Sequence, residues 1–110
     1  MISGTIYDWS FDIISNNKCI IGDIYKSKIF TNGRTISTSE IKDVKIIKIK
    51  SKKFVCVETN SGSQYILINP NKIFKEFVNN CFKEEKNKED FDFENLEGIK
   101  NIIKWHISKN

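Results

Sequence analysis

A chain of 110 residues with 39% hydrophobic and 29% charged side chains is sized and composed for one globular domain, not for a disordered or fibrous protein. The net charge of +4 hides an asymmetry: residues 83–94 hold three lysines against six acids, so the remainder carries +7. No apolar run reaches the length of a membrane-spanning helix, and the first residues alternate like a strand and not like a signal peptide, so the expectation is a cytoplasmic protein with no membrane partner.

In chain order, residues 4–7 and 10–15 read as short strands with Asp8-Trp9 between them, and Asn16-Asn17 as a turn. Residues 18–25 are rich in β-formers, and Gly22 among them predicts a bulge or sharp bend. Asn32-Gly33 predicts a two-residue hairpin, because a type I′ turn needs positive φ at both central positions. Residues 41–50 form a further strand whose apolar set switches face across Ile46-Ile47, which implies another bulge. Ser51-Lys52 turns the chain into 53–59, and the Asn60-Ser61-Gly62-Ser63 run turns it again into 64–68. Strands at this short, even spacing predict an antiparallel, strongly curved sheet.

After Ile68 the apolar period changes from two to 3.6. Asn69 is placed to cap a helix with Pro70 at its first position, where the missing N–H costs nothing. Ile73, Phe74, Phe77, Val78 and Cys81 line one face of it. In a second helix, capped by Asp90, Asp92 or Asn95, residues Leu96, Ile99, Ile102, Ile103 and Ile107 form the stripe. The expected class is α+β in one domain over 1–110: sheet over 1–68, helix over 69–82, acidic linker over 83–93 and helix over 94–108. At 100° per residue Phe82 lies at the rim of the first stripe, and Trp105 points nearly opposite the centre of the second, which predicts an interface or a stacking platform.

Catalytic patterns are missing. The Gly-containing turns precede strands, so phosphate-loop readings fail. The single histidine, His106, lies far along the chain on an expected surface helix, which disfavours a Ser-His-Asp or Cys-His device. The acids of 84–92 lack calcium-loop spacing. Cys19, Cys56 and Cys81 have no CxxC and read as small hydrophobes in a reducing cytosol. No metal or cofactor is expected, and a binding protein is favoured over an enzyme. Residues 42–53 hold six lysines against one aspartate, either a phosphate-attracting surface or a sheet edge protected by charge. Phe54 and Tyr65 on such a sheet suit base stacking. Arg34 is the only arginine, and it precedes the hydroxyls of Thr35, Ser37, Thr38 and Ser39.

The residues Phe30-Thr-Asn-Gly33, Ile36-Ser-Thr-Ser39 with Ile41, and Val57-Glu-Thr-Asn-Ser-Gly-Ser-Gln-Tyr65-Ile-Leu67 resemble a pattern of small phage and prophage proteins, F-x-D/N-G, I/V-x-T-S-x-I and V-x-T-x-S-G-S-x-Y-x-L. The layout of sheet first and two helices last, with its size and the basic stretch near Lys28, is similar to the Thoeris anti-defence sponge family. That resemblance implies sequestration of a cyclic ADP-ribose-like immune signal without cleavage, and assembly as a homodimer or larger. Such pockets usually hold phosphates with arginine; here Arg34 and nearby lysines would have to serve. The expected ligand site is therefore Arg34 on phosphate, Lys28 adding charge, Thr38 and Ser39 donating hydroxyl bonds, and Trp105 or Phe82 stacking on a base beside His106. The alternative expectation is a protein-binding inhibitor of a nuclease or defence effector, with the acidic linker mimicking nucleic acid. A third is a structural domain that only oligomerises.

Overall fold

The computed structural model describes residues 1–12, 16–81 and 92–108. Five strands, β1 (Gly4–Asp12), β2 (Asn16–Tyr25), β3 (Thr35–Ile49), β4 (Lys52–Thr59) and β5 (Gln64–Pro70), run as an antiparallel meander. Directions alternate along a meander, so the first and fifth strands point the same way. They pair in parallel, Gly4 with Tyr65 and Ile6 with Leu67, and the sheet closes into a barrel. Two helices follow, α1 (Lys72–Cys81) and α2 (Leu96–Ser108). The α+β class and the strong curvature stand as expected. The closure and its parallel seam were not anticipated. Closure pairs both edges of the sheet with each other.

Inside the barrel Ile6, Trp9, Ile20, Ile24, Val55 and Val57 are at most 1% exposed. Each such side chain stabilises the fold by about 1.5–3 kcal/mol relative to exposure. α2 lies against β3, β4 and β2, and α1 against β1. Ile102 and Ile103 of α2 and Val78 of α1 join the same cluster. Phe11, near the end of β1, meets Phe74 of α1 at 6.0 Å and His106 of α2 at 4.1 Å between ring centroids. The helices therefore cover the barrel where β1 ends.

Several local expectations move. Residues 4–12 are one strand, bent at Asp8, whose φ is +54°. Register passes from Tyr7–Asp23 to Ser10–Ile21, so Asp8 and Trp9 together oppose Gly22. The bulge lies on β1, and Gly22 is its partner across the ladder. A Cβ on Gly22 would sit 2.9 Å from Tyr7 O and 3.1 Å from the Trp9 Cα, which only glycine avoids. Asn16 and Asn17 begin β2 instead of turning. In β3 the irregularity falls between Ile41 and Asp43, not at Ile46-Ile47.

Pro70 does not start α1. It closes β5 opposite Trp9, and the Asn71 N–H donates to Trp9 O at 2.7 Å. Asn71 is the cap, its Oδ1 accepting from the N–H groups of Ile73 and Phe74 at 2.9 and 3.2 Å. On α1 only Phe74 and Val78 are buried, while Ile73 is 75% exposed. Asn95 caps α2, accepting from the Gly98 N–H at 2.7 Å. Asp92 serves the turn before it, accepting from the Glu94 N–H at 2.9 Å. Asp90 and most of the acidic linker lie outside the described residues.

Candidate functional site

The sites expected from sequence do not converge. Phe82 lies outside the described residues. Arg34 is exposed at the end of the loop 26–34, its guanidinium 5.9 Å from the Phe30 ring centroid. Thr38 faces inward at 8% exposure; its Oγ1 accepts from the Ile20 N–H at 3.0 Å and donates to Ser39 O at 2.7 Å. It is a structural hydroxyl. Ser39 is exposed on β3, and Thr35 donates to Asp23 Oδ1 at 2.8 Å.

Trp105 is half-buried against the core, not turned to solvent, and His106 is buried in a stack on Phe11 with the planes 20° apart. α2 presents His106 inward because the helix covers a barrel end, where a wider arc than the isoleucine stripe meets apolar surface. The ladder of β1 with β2 runs from Thr5–Tyr25, beside the Arg34 loop, to Phe11–Ile20, beside His106. Those ends are about 15–20 Å apart at the rise of a strand. A single pocket between the Arg34 ribbon and α2 is not formed.

The Arg34 loop itself differs from a two-residue hairpin. Asn32 and Gly33 are the central residues of a β-turn closed by the Arg34 N–H on Thr31 O at 3.1 Å, with positive φ at Gly33 (+86°) but not at Asn32. That is the type II pattern. The turn sits inside a longer loop fixed to β2: the Gly33 N–H donates to Ile24 O at 2.7 Å and the Lys26 N–H to Asn32 Oδ1 at 3.0 Å. The paired positive φ values of a type I′ hairpin occur instead at Lys50 (+49°) and Ser51 (+70°), between β3 and β4.

What the barrel does present is an apolar outer face. Directly paired residues share a face of a sheet. One row runs Tyr25, Thr5, Ile66, Cys56, Lys45 over all five strands and four of the five seams, from β2 to β3. The next contains Asp23, Tyr7 and Ile68, with Phe54 and Ile47 paired on β4 and β3. Both rows alternate with the inward Ile6, Leu67, Val55 and Val57, so they point outward.

The N-terminal residues lie along this face. The Ser3 N–H donates to Gln64 O at 2.7 Å, and the Gln64 N–H to Ser3 Oγ at 3.3 Å. Burial pushes the Cys56 thiol above its ordinary 9.0, against the opposing pull of Lys45 and the chain's amino terminus. Cys19 is raised as well, first by burial and then by Glu40 and Asp12. Both thiols are held in the unreactive protonated form.

Three grooves open on this side and share one residue. The largest, about 550 Å³, runs over Tyr7, Phe54, Ile66 and Ile68 between Lys26 and Lys52. A second, about 440 Å³, is lined by Lys26, Lys28, Ser61, Gly62 and Ser63. A third, about 380 Å³, lies among Tyr7, Tyr25, Lys26 and Asn32. Lys26 lines all three. Its φ of +58° is a left-handed conformation that costs an L-residue about 1–2 kcal/mol. Tyr7 and Tyr25 meet edge to face at 5.1 Å.

No family model matches the chain, and neither a curated protein nor a solved structure does.

Of the pocket residues expected from sequence, Lys28 lines one of these grooves. Phe54, read as a stacking residue, and Lys52, from the basic stretch 42–53, line the largest, whereas Tyr65 faces the core at 6% exposure. Tyr7, Tyr25 and Lys26 were missed. A fourth groove, about 500 Å³, lies between Ile46, Lys48 and Lys53 and the start of α2, where Asn95 is already committed to its cap. Among the described residues no group of histidine, cysteine and acidic side chains is placed to hold a metal. No helix among them is long and apolar enough to cross a membrane.

Proposed function

We propose that the protein is a binding module that holds a nucleotide-class anion on the outer face of its barrel and releases it unchanged. The observation that carries this reading is Lys26, a cation at the junction of three grooves, one floored by Tyr7, Phe54 and Ile66 and another by Tyr7 and Tyr25. An aromatic floor accepts any base by its π-face, and ammonium groups at the edge pair with phosphate. Holding without turnover is also what sequestration of a cyclic ADP-ribose-like immune signal requires. That signal is one member of the ligand class, moved here from the Arg34 ribbon to the Tyr7 face.

The test is calorimetry of the purified protein against mononucleotides, cyclic dinucleotides and cyclic ADP-ribose, with mass spectrometry of the recovered ligand. Saturable heat and intact ligand are expected from at least one of them. Tyr7→Ala should weaken that binding by about 1–3 kcal/mol, the value of one stacked base. Arg34→Ala should leave it within a few-fold. Absence of heat with every nucleotide ends the reading.

A second reading, a protein-binding inhibitor of a nuclease or defence effector, draws on the flank of α1, where Ile73 is 75% and Phe77 38% exposed. Loss of partner capture on Ile73→Lys, with nucleotide binding absent, would put it first.

A further inference from the structure

Every groove on the Tyr7 face is open, and they join end to end. From Lys52 the largest passes over Phe54, Ile68, Tyr7 and Ile66 to Lys26; from Lys26 and Ile2 the next continues past Lys28 to Ser61, Gly62 and Ser63. The order along the surface is cation, aromatic floor, cation, cation, then a turn with two hydroxyls. Ile68 and Gln64, which line the two grooves, are four residues apart on β5, about 13 Å at the rise of a strand. Lys52 lies beyond one end of that span and the Ser61 turn beyond the other. One nucleotide cannot reach both, and among the described residues these grooves are open.

We infer that this face is a track for a linear single-stranded nucleic acid, which crosses the aromatic floor with its bases and follows Lys52, Lys26 and Lys28 with its phosphates. The inference rests on the nucleotide reading above and adds length and strand form to it. A single strand suits the surface because its bases are free to lie flat on Tyr7, Tyr25 and Phe54; in a duplex they are hidden in the stack. The occupied length is on the order of four nucleotides, the low end for one small barrel.

The experiment is fluorescence anisotropy with labelled oligo-rU and oligo-dT of one, two, four and six nucleotides, and with a six-base-pair duplex. Affinity should rise at least tenfold from one nucleotide to four and then level, with the duplex weaker than the tetramer. The two sugar types identify which strand the track takes. Three phosphate contacts predict a log–log salt slope of about −2 for the tetramer, at roughly −0.7 per contact. Lys28→Ala, an exposed loop change, should reduce that slope by about 0.7 and weaken the tetramer by a larger factor than a mononucleotide. Equal affinity for one and six nucleotides, or a duplex bound as tightly as the single strand, overturns the track and leaves the nucleotide reading standing. No binding at any length removes both.

Discussion

The backbone amide of Lys26 donates to the side-chain carbonyl oxygen of Asn32 across 3.0 Å, and both residues line the groove beside Tyr7 and Tyr25. One bond thus fixes the left-handed Lys26 backbone and the turn that carries Gly33. Asn32→Ala removes the acceptor and should lower stability by about 0.5–1.5 kcal/mol in urea unfolding. Asn32→Asp keeps an acceptor and should recover most of it. Equal losses for the two variants would show that the bond does not hold the loop.

The β3–β4 hairpin places Lys50 and Ser51 in a type I′ turn, both at positive φ and neither a residue that favours it. Replacing the pair by Asn-Gly should stabilise the protein by about 1 kcal/mol, since glycine and asparagine enter the left-handed region at little cost. The measurement is the melting temperature, which should rise by several degrees for a domain of this size. A fall would mean that the Lys50 or Ser51 side chain contributes something the turn geometry hides.

Those two turns show how far the sequence could be read. Asn32-Gly33 carried the strongest local signal, and of the two the structure puts only the glycine at positive φ. Tertiary closure decided otherwise, because the loop 26–34 must return to pair Thr35 with Asp23. Pro70 was diverted in the same way, taken by the parallel seam with β1, so that the cap moved to Asn71. Curvature and the α2 stripe follow from alternation and period alone, while of the stripe expected on α1 only Phe74 and Val78 are buried.

The outer face left a trace that was readable. Val55-Cys56-Val57 and Tyr65-Ile66-Leu67 are unbroken apolar runs, and an antiparallel strand of that kind has apolar groups on both faces. Lys26 left none, because its importance comes from three grooves meeting in space. Counting 100° at a time turned Trp105 to solvent, which assumes a flat surface beneath the helix; here α2 meets the curved barrel end at Phe11, with Trp105 half-buried and His106 buried.

Gly22 faces the bulged pair Asp8 and Trp9, with Tyr7 O and the Trp9 Cα within about 3 Å of where a Cβ would stand. Gly22→Ala should therefore cost about 1–3 kcal/mol, the range for overpacking a tight site, although alanine has the better backbone propensity. Gly62 offers the control. No atom lies within 4 Å of its Cβ direction, so the penalty there comes from its φ of +92° alone. Chemical denaturation of both alanine variants separates steric from conformational cost. Similar behaviour with and without the bulge would remove the steric account.

Burial raises the thiols of Cys56 and Cys19 above 9.0 in the folded chain. The folded state then keeps its protons to higher pH than the unfolded state, so stability falls as pH rises through the unfolded value. These groups should contribute nothing between pH 6 and 8, and a decline should begin near pH 9. In thermal scans from pH 7 to 10 a Cys56→Ala, Cys19→Ser double variant should start less stable and decline less. An identical decline would assign the alkaline loss to other groups.

Lys26 joins backbone strain to the proposed site, and the two can be separated by one substitution. Its φ of +58° is unfavourable for every residue with a Cβ, and glycine alone adopts it freely. Lys26→Gly keeps the N–H that donates to Asn32 and removes only the side chain, which is exposed and buries no core surface. The variant should be as stable as the parent or gain up to about 1 kcal/mol, because the relieved strain outweighs the entropy glycine adds to the unfolded chain. Nucleotide binding should nonetheless weaken by roughly tenfold, as one charge-assisted contact is lost. Lys26→Arg should keep the strain and the affinity. Strain held where a cation is needed is what a binding site produces when function, not stability, fixes the residue. Parallel measurement of melting temperature and affinity decides the matter: a glycine variant that binds as well as the parent would strip Lys26 of its role, and the strain would then have no functional account.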